Sequence, residues 1–265
     1  MGFVKTKEEV ARIQAVLSAP RFVGAEMLSI DFLTRKETVA AILPPGLEPA
    51  DEPLVTAMVG RWRSNCVADF TGGAIYVMAR HKDITGPYVL SMYMDQDHAI
   101  IFGRDLFGEP KKMASTTLQR RGSFMHGFVE RGGTRLIEIK ADLTEDLGPG
   151  QAQGVNFNIK ATPSCTGIGL EDDPVLTLAE FRNSLDVQRR GRGSLTLGHT
   201  VHDPLSDLEI VELRGAAYLE GDLITSCRPL ARLNADAFLP YLYGRLDDWS
   251  ALDTENVQTI HPQNA

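Results

Sequence analysis

Cysteine is scarce. Cys66, Cys165 and Cys227 are the only three in 265 residues, and none sits in a C-x-x-C pair. That excludes a disulfide framework and the common zinc and dithiol motifs, and leaves three separate thiols. Long apolar runs are also missing. No stretch approaches the roughly 18 uncharged apolar residues that cross a bilayer, so no membrane association is expected. Where a secretory leader would need continuous apolar sequence, the chain reads Thr6-Lys7-Glu8-Glu9-Val10, and the expected location is cytoplasmic. Positive charge is in deficit: 27 Lys and Arg against 35 Asp and Glu give a net charge of −8. A general affinity for polyanions is therefore disfavoured. The one basic cluster, Arg189-Arg190-Gly191-Arg192, is short and has no interleaved aromatics, so no nucleic-acid partner is expected. Internal repeats and a long Gly/Ser/Pro linker are absent too, which reads as one domain over residues 1–252 with a polar tail over 253–265.

What is present is an ordinary globular composition, 43% apolar and 23% charged. Residues 6 to 18 predict an amphipathic helix packed on the main body: Thr6 and Glu9 form a capping-box pair, and Val10, Ile13, Val16 and Leu17 recur at helical spacing. A short helix is predicted over Arg35 to Ile42, closed by Leu43-Pro44-Pro45-Gly46. Between residue 53 and about 228, short apolar or alternating runs are separated by Gly, Asp and Pro clusters. They are Leu54 to Val59, Ala74 to Ala79, Tyr88 to Met94, Ala99 to Phe102, Arg135 to Ile139, Gln153 to Ile159 and Leu208 to Leu213. That texture predicts a mostly antiparallel sheet, sandwich or barrel, hence an α+β class. A last helix is predicted over Asn234 to Arg245, with Pro240 inside it.

Several motifs lead nowhere. His199 and His202 are three apart on strand-like sequence, so their rings point to opposite faces and read as surface residues rather than metal ligands. Ser164-Cys165-Thr166 has no histidine near it in sequence. Neither Gly72-Gly73 nor Gly191-Arg192-Gly193 fits a phosphate-binding loop. No metal or cofactor is expected.

The stretch from Met92-Tyr93-Met94-Asp95 through Gly103-Arg104-Asp105 to Pro110-Lys111-Lys112 is different. It resembles the acetoacetate decarboxylase family, whose Gly-Arg-Glu pattern appears here with Asp in place of Glu, followed by the Pro-Lys-Lys block. Leu43-Pro44-Pro45-Gly46-Leu47-Glu48-Pro49, Asp51-Glu52-Pro53-Leu54 and Ala74-Ile75-Tyr76-Val77 extend the resemblance over roughly residues 20 to 120. It implies an antiparallel β-barrel or cone with peripheral helices, a homo-oligomer, and a cofactor-free lyase that acts on a small oxo acid or aldehyde through a Schiff base. By resemblance Lys111 is the nucleophile and Lys112 the neighbouring cation, although alternation along a strand would put the two on opposite faces. The chemistry is sound. An amine adds to a carbonyl only when neutral, and a free lysine with a pKa of about 10.4 is neutral to a few parts in ten thousand at pH 7. Desolvation or a nearby cation disfavours the ammonium, a device known from acetoacetate decarboxylase itself.

The sequence also departs from the family. Where the decarboxylases carry a pocket glutamate after a Tyr-x pair, this chain has Phe70; a second family glutamate falls on Met58, and the pocket arginine falls near Ala25. Those losses favour aldolase-dehydratase chemistry over acetoacetate decarboxylation. A non-catalytic binding protein on the same barrel is the other alternative. Glu109, at i−2 from Lys111, could face the same cavity and carry protons. Tyr241 and Tyr243 are alternative proton donors, and Arg61 and Arg63 could hold a substrate carboxylate. Met58, Phe70, Met92, Arg104 and Tyr241 complete the candidates for substrate contact.

Overall fold

The computed structural model describes residues 2–251; the expected tail over 253–265 lies outside them. Helix α1 (Lys7–Leu17) opens the chain, and both halves of its capping box form: Thr6 N–H donates to Glu9 Oε2 at 2.8 Å, and Glu9 N–H donates to Thr6 Oγ1 at 3.2 Å. Of its apolar stripe only Leu17, at the C-terminal end, packs on the body. Val10, Ile13 and Val16 remain exposed. Strand β1 (Arg21–Leu33), helix α2 (Lys36–Ile42), β2 (Glu48–Pro49), β3 (Leu54–Ser64), β4 (Ala68–His81) and β5 (Ile84–Met94) follow. Next come α3 (Asp97–Phe102), a π-helical turn (Gly103–Phe107) and β6 (Lys111–Met113). Strands β7 (Ser115–Arg121), β8 (Phe124–Arg131) and β9 (Thr134–Asp146) form a meander, followed by β10 (Gly150–Lys160), β11 (Val175–Leu197), β12 (Glu212–Arg232) and helix α4 (Ala235–Arg245).

Seven strands close into a barrel in the order β10-β5-β4-β3-β1-β12-β11, the circuit being completed by the antiparallel pair β10–β11. Strands β9, β8 and β7 continue the sheet from β11 and fold back against the outside of the wall, where Val129 meets Gly73 and Gly127 approaches Leu28 and Val59. The wall is therefore buried on both faces. Strand alternation separates two cores. Leu28, Ile30, Val55, Ala57, Val59, Ile75, Val77 and Tyr93 pack outward beneath the β7–β9 layer with Met125, Ile137 and Ile139. Ala25, Met58, Trp62, Phe70, Ala74, Met92 and Met94 turn inward with Phe102 and Phe107.

One expected strand is a helix instead. Ala99 to Phe102 belongs to α3, which opens with Ile100 N–H donating to Gln96 O at 3.2 Å; a four-residue apolar run fits either state. Leu208 to Leu213 is mostly loop before β12. Helix α4 forms as expected, with Asn234 Oδ1 accepting from Ala237 N–H at 2.8 Å. Among the described residues, no helix is long and apolar enough to cross a membrane.

Candidate active site

Strands β5 and β6 run parallel, and parallel neighbours need a crossover of about a dozen residues or more. Residues 95–110 supply it through α3 and the π-helical turn. Gly108 ends the turn in a left-handed conformation (φ +81°), its N–H donating to Gly103 O, and Glu109 N–H donates to the same carbonyl at 3.0 Å. Pro110 then reverses direction, with Lys111 N–H donating to Glu109 O at 2.8 Å, so Glu109 and Lys111 turn into one space.

That space is inside the barrel. Met58, Ala74, Met92 and Lys111 are lateral partners across β3, β4, β5 and β6, so all four share the inward face. A cavity of about 150 Å³ lies against Met58, Met92 and Lys111 of this row, walled by Trp62, Phe70, Met94, Phe102 and Phe107. Lys111 Nζ lies 2.8 Å from Glu109 Oε2, donates to Ala99 O at 3.1 Å, and sits 5.8 Å from the centroid of the Phe70 ring. Phe70 is held by a stacked contact with Trp62 at 5.3 Å. Lys111 is 6% exposed. Gly103 makes room for the pair: a Cβ there would lie 2.6 Å from Lys111 Nζ and closer still to Glu109 Oε2. The glycine of the Gly103-Arg104-Asp105 motif thus has a steric reason, and a π-turn widens the backbone at that point.

The adjacency of Lys112 in sequence does not become adjacency in space. Its lateral partner is Tyr93, on the outward face, and its ammonium donates to Asp203 Oδ1 and His202 O at 2.7 Å each and lies 3.2 Å from Asp247 Oδ1. Arg131 bridges the same two aspartates, and the Tyr93 hydroxyl donates to Asp203 at 3.0 Å. Burial alone would raise the Asp247 carboxyl, but hydrogen bonds from Arg131 and Lys112 outweigh it and hold the group below its ordinary value. Lys112 therefore secures β6 from outside the chamber rather than repelling the Lys111 charge.

The remaining expected residues divide cleanly. Met58, Phe70, Met92, Glu109 and Lys111 line one chamber. Arg104 does not: it donates to Lys111 O at 3.2 Å and lines a separate cleft with Gly108 and Arg245. Tyr241 lines a different cavity, beside Lys112, and Tyr243 is exposed, because α4 packs on the outward side of β5. Arg61 and Arg63 pair with Glu26. His199 approaches Ser206 and Asp207, whereas His202 accepts from Asp248 N–H, so the two histidines serve different contacts. Among the described residues no cluster of His, Cys, Asp and Glu is arranged to hold a metal ion.

Two residues were not anticipated. Tyr76 lines the chamber, and burial, with a smaller contribution from the Glu109 charge, pushes its phenol well above the ordinary range, leaving a neutral donor. Its signal was available: it is two residues from Ala74 on a strand. Arg245, buried at the end of α4, donates to Gly108 O at 2.7 Å and Ile159 O at 3.2 Å, a link between distant segments that no local pattern announces.

The acetoacetate decarboxylase (ADC) family model matches residues 7–232. The chain belongs to the acetoacetate decarboxylase family. It is 30% identical over 215 residues to the acetoacetate decarboxylase of Burkholderia mallei, covering 77% of this chain and 84% of the relative. The crystal structure of acetoacetate decarboxylase from Legionella pneumophila superposes with a TM-score of 0.73 at 25% identity, over 80% of this chain and 87% of the other. The enduracididine biosynthesis enzyme MppR, complexed with the condensation product of pyruvate and imidazole 4-carboxaldehyde, shares the fold at a TM-score of 0.68 and 17% identity, over 80% and 89%. Phe70 and Met58 stand inside the chamber, and Ala25 is fully buried in the same apolar cluster.

Proposed function

We propose that the protein is a Schiff-base-forming carbon–carbon lyase that acts through Lys111, with Glu109 as the group that carries protons. Family membership supports a lysine-dependent Schiff-base lyase, and the observation that carries the assignment to these residues is the buried Lys111–Glu109 contact of 2.8 Å at one wall of an apolar chamber. Glu109 takes the ammonium proton. The neutral amine adds to the carbonyl carbon, nitrogen gives a proton to oxygen in the carbinolamine, and Glu109 returns its proton as water leaves. An ion pair and a carbonyl become a protonated imine, a carboxylate and water, so charge and atoms balance.

The imine then draws an electron pair from the adjacent carbon. In a β-hydroxy substrate, Glu109 removes the hydroxyl proton, the carbon–carbon bond breaks, an aldehyde departs, and the pair rests in an enamine. Protonation of the enamine and hydrolysis regenerate Lys111. The reverse sequence is aldol addition, and loss of the β-hydroxyl gives dehydration. Decarboxylation uses the same electron sink and is the second reading, favoured by the name of the curated relatives. Apolar Phe70 and Met58 in the chamber support aldolase-dehydratase chemistry as the first reading.

Reductive trapping tests the assignment. With an aldehyde or ketone and cyanoborohydride, the protein should gain one stable adduct by intact mass, and Lys111→Arg should gain none, because guanidinium stays protonated. Full labelling of Lys111→Arg would refute the nucleophile. Acetoacetate turnover at about 10 per second or more, typical of efficient enzymes, would instead restore the decarboxylase reading.

A further inference from the structure

The chamber wall is chemically one-sided. Trp62, Phe70, Phe102, Phe107, Met58 and Met92 dominate it, and among the described residues its ionisable groups are Lys111, Glu109 and Tyr76 alone. Lys111 already faces its counter-ion. Tyr76 is held neutral by burial first and the Glu109 charge second. No second cation looks in: Arg61 and Arg63 pair with Glu26, Arg104 donates to a backbone carbonyl, and Lys112 is committed to Asp203.

The charge count follows directly. Once an imine forms, its positive charge is balanced by Glu109. A substrate carboxylate beside the reacting carbonyl would add a second negative charge to an apolar space with no partner for it, and buried charges without partners are strongly disfavoured. A phenyl ring, in contrast, meets aromatic and thioether surfaces. The chamber shares Met27, Met58, Tyr76, Asn156, Asn183 and Thr225 with an outer cavity of about 940 Å³ whose charged residues are Glu180 and Arg182. A long molecule can therefore place its carbonyl at Lys111 and extend outward.

We propose that the site takes neutral carbonyl compounds, ketones or aldehydes carrying an aryl or similarly bulky apolar group, and discriminates against 2-oxo and 3-oxo acids. This rests on Lys111 as the imine-forming residue. It departs from the oxo acids that family resemblance suggests, and it follows from the missing cation rather than from the missing acids.

Matched compounds isolate the charge. 4-Phenylbutan-2-one and 2-oxo-4-phenylbutanoate differ only by methyl for carboxylate, as do acetone and pyruvate, and butan-2-one is the neutral counterpart of acetoacetate. Cyanoborohydride trapping on the full chain, read by intact mass, gives the concentration for half-maximal labelling. The neutral member of each pair should label at a concentration at least tenfold lower, although 2-oxo acids are intrinsically the more electrophilic. Met58→Arg, which places a cation in the row beside Ala74, should narrow or reverse the ratio. Equal or better labelling by the acids of the native chain would overturn the substrate class while leaving Lys111 in place. Absence of labelling with every compound would overturn the Lys111 reading itself.

Discussion

Removing Lys111 should cost folding stability, and removing Glu109 with it should restore that stability. The two side chains are 7% and 14% exposed and 2.8 Å apart. Lys111→Met keeps an unbranched chain of similar reach but leaves the Glu109 carboxylate facing Phe102, Phe107 and Met92 without a cation. Breaking a buried pair from one side typically costs about 3–5 kcal/mol, whereas replacing both partners by apolar residues is often neutral or stabilising by about 1–4 kcal/mol. The chamber opens to a larger cavity, so water tempers the penalty and the lower end, about 3 kcal/mol, is expected for Lys111→Met. Glu109→Leu should lose a similar amount. The double variant Lys111→Met/Glu109→Leu should return to within about 1 kcal/mol of the native chain or exceed it, since coupled neighbours do not add. Urea unfolding of all four proteins at pH 7, with midpoint and slope both fitted, provides the cycle. Additive losses in the double variant, or a Lys111→Met protein as stable as the native chain, would refute the buried ion pair. The expected result would show that the pair is kept for chemistry at no gain in stability.

Three further outcomes follow from the geometry. Gly103→Ala has a helical φ of −67° and should gain up to about 1 kcal/mol in helix propensity, yet its Cβ would lie 2.5 Å from Lys111 Cδ. Imine trapping should fall at least tenfold, and overpacking against the pair, about 1–3 kcal/mol, should cancel the propensity gain so that the melting temperature does not rise; unimpaired trapping would contradict the placement. Lys112→Met leaves Asp203, 2% exposed, with Arg131 as its remaining cation; it should lose about 3 kcal/mol without moving the pH profile of trapping, and an upward shift of that profile would revive the neighbouring-cation role. Glu109→Gln should still form the imine but turn over about 10² to 10⁴ times more slowly, the usual loss for a positioned acid or base; unchanged turnover would pass proton transfer to Tyr76.

The runs legible in the sequence were those with one clear pattern. Leu54 to Val59 and Ala74 to Ala79 are legible because β-rich runs sit between turn residues, and the first helix is legible from the capping-box spacing of Thr6 and Glu9. Strand β1, not among the expected strands, nonetheless carries a period-2 signal: Leu28, Ile30 and Phe32 are buried on one face and alternate with half-buried Ser29 and Asp31 on the other. Strand β11, in contrast, is hidden: its middle and second half, with Arg189, Arg190 and Arg192, are held by cross-strand pairing to β9 and β12 and carry little apolar signal. The Pro-Lys-Lys block was readable, as was the i to i+2 relation of Glu109. Tyr76 is legible too, two residues from Ala74 on one strand, whereas the Arg245 link is not, since it depends on contacts between segments far apart in the chain.

Register decides which lysine meets the chamber. Strand β6 is only three residues long, and a slip of one position would exchange Lys111 for Lys112, sending a different ammonium inward. Three backbone pairings with β5 are too few to forbid that alone. The restraint comes from both sides of the strand. Outside, Lys112 is fixed by Asp203, which Arg131 and Tyr93 hold in turn. Along the backbone, Arg245 holds Gly108 O and Arg104 holds Lys111 O, so the carbonyls that bracket Glu109-Pro110 are each bound by a guanidinium. Burial lowers the Arg245 guanidinium from its ordinary value, and the nearby Arg104 charge adds to that, but an arginine stays protonated across the working range of an enzyme. These side chains never touch the chamber. They act by making a single register the stable one, which is why the reactive pair can be short of contacts within the chamber and still be held in place.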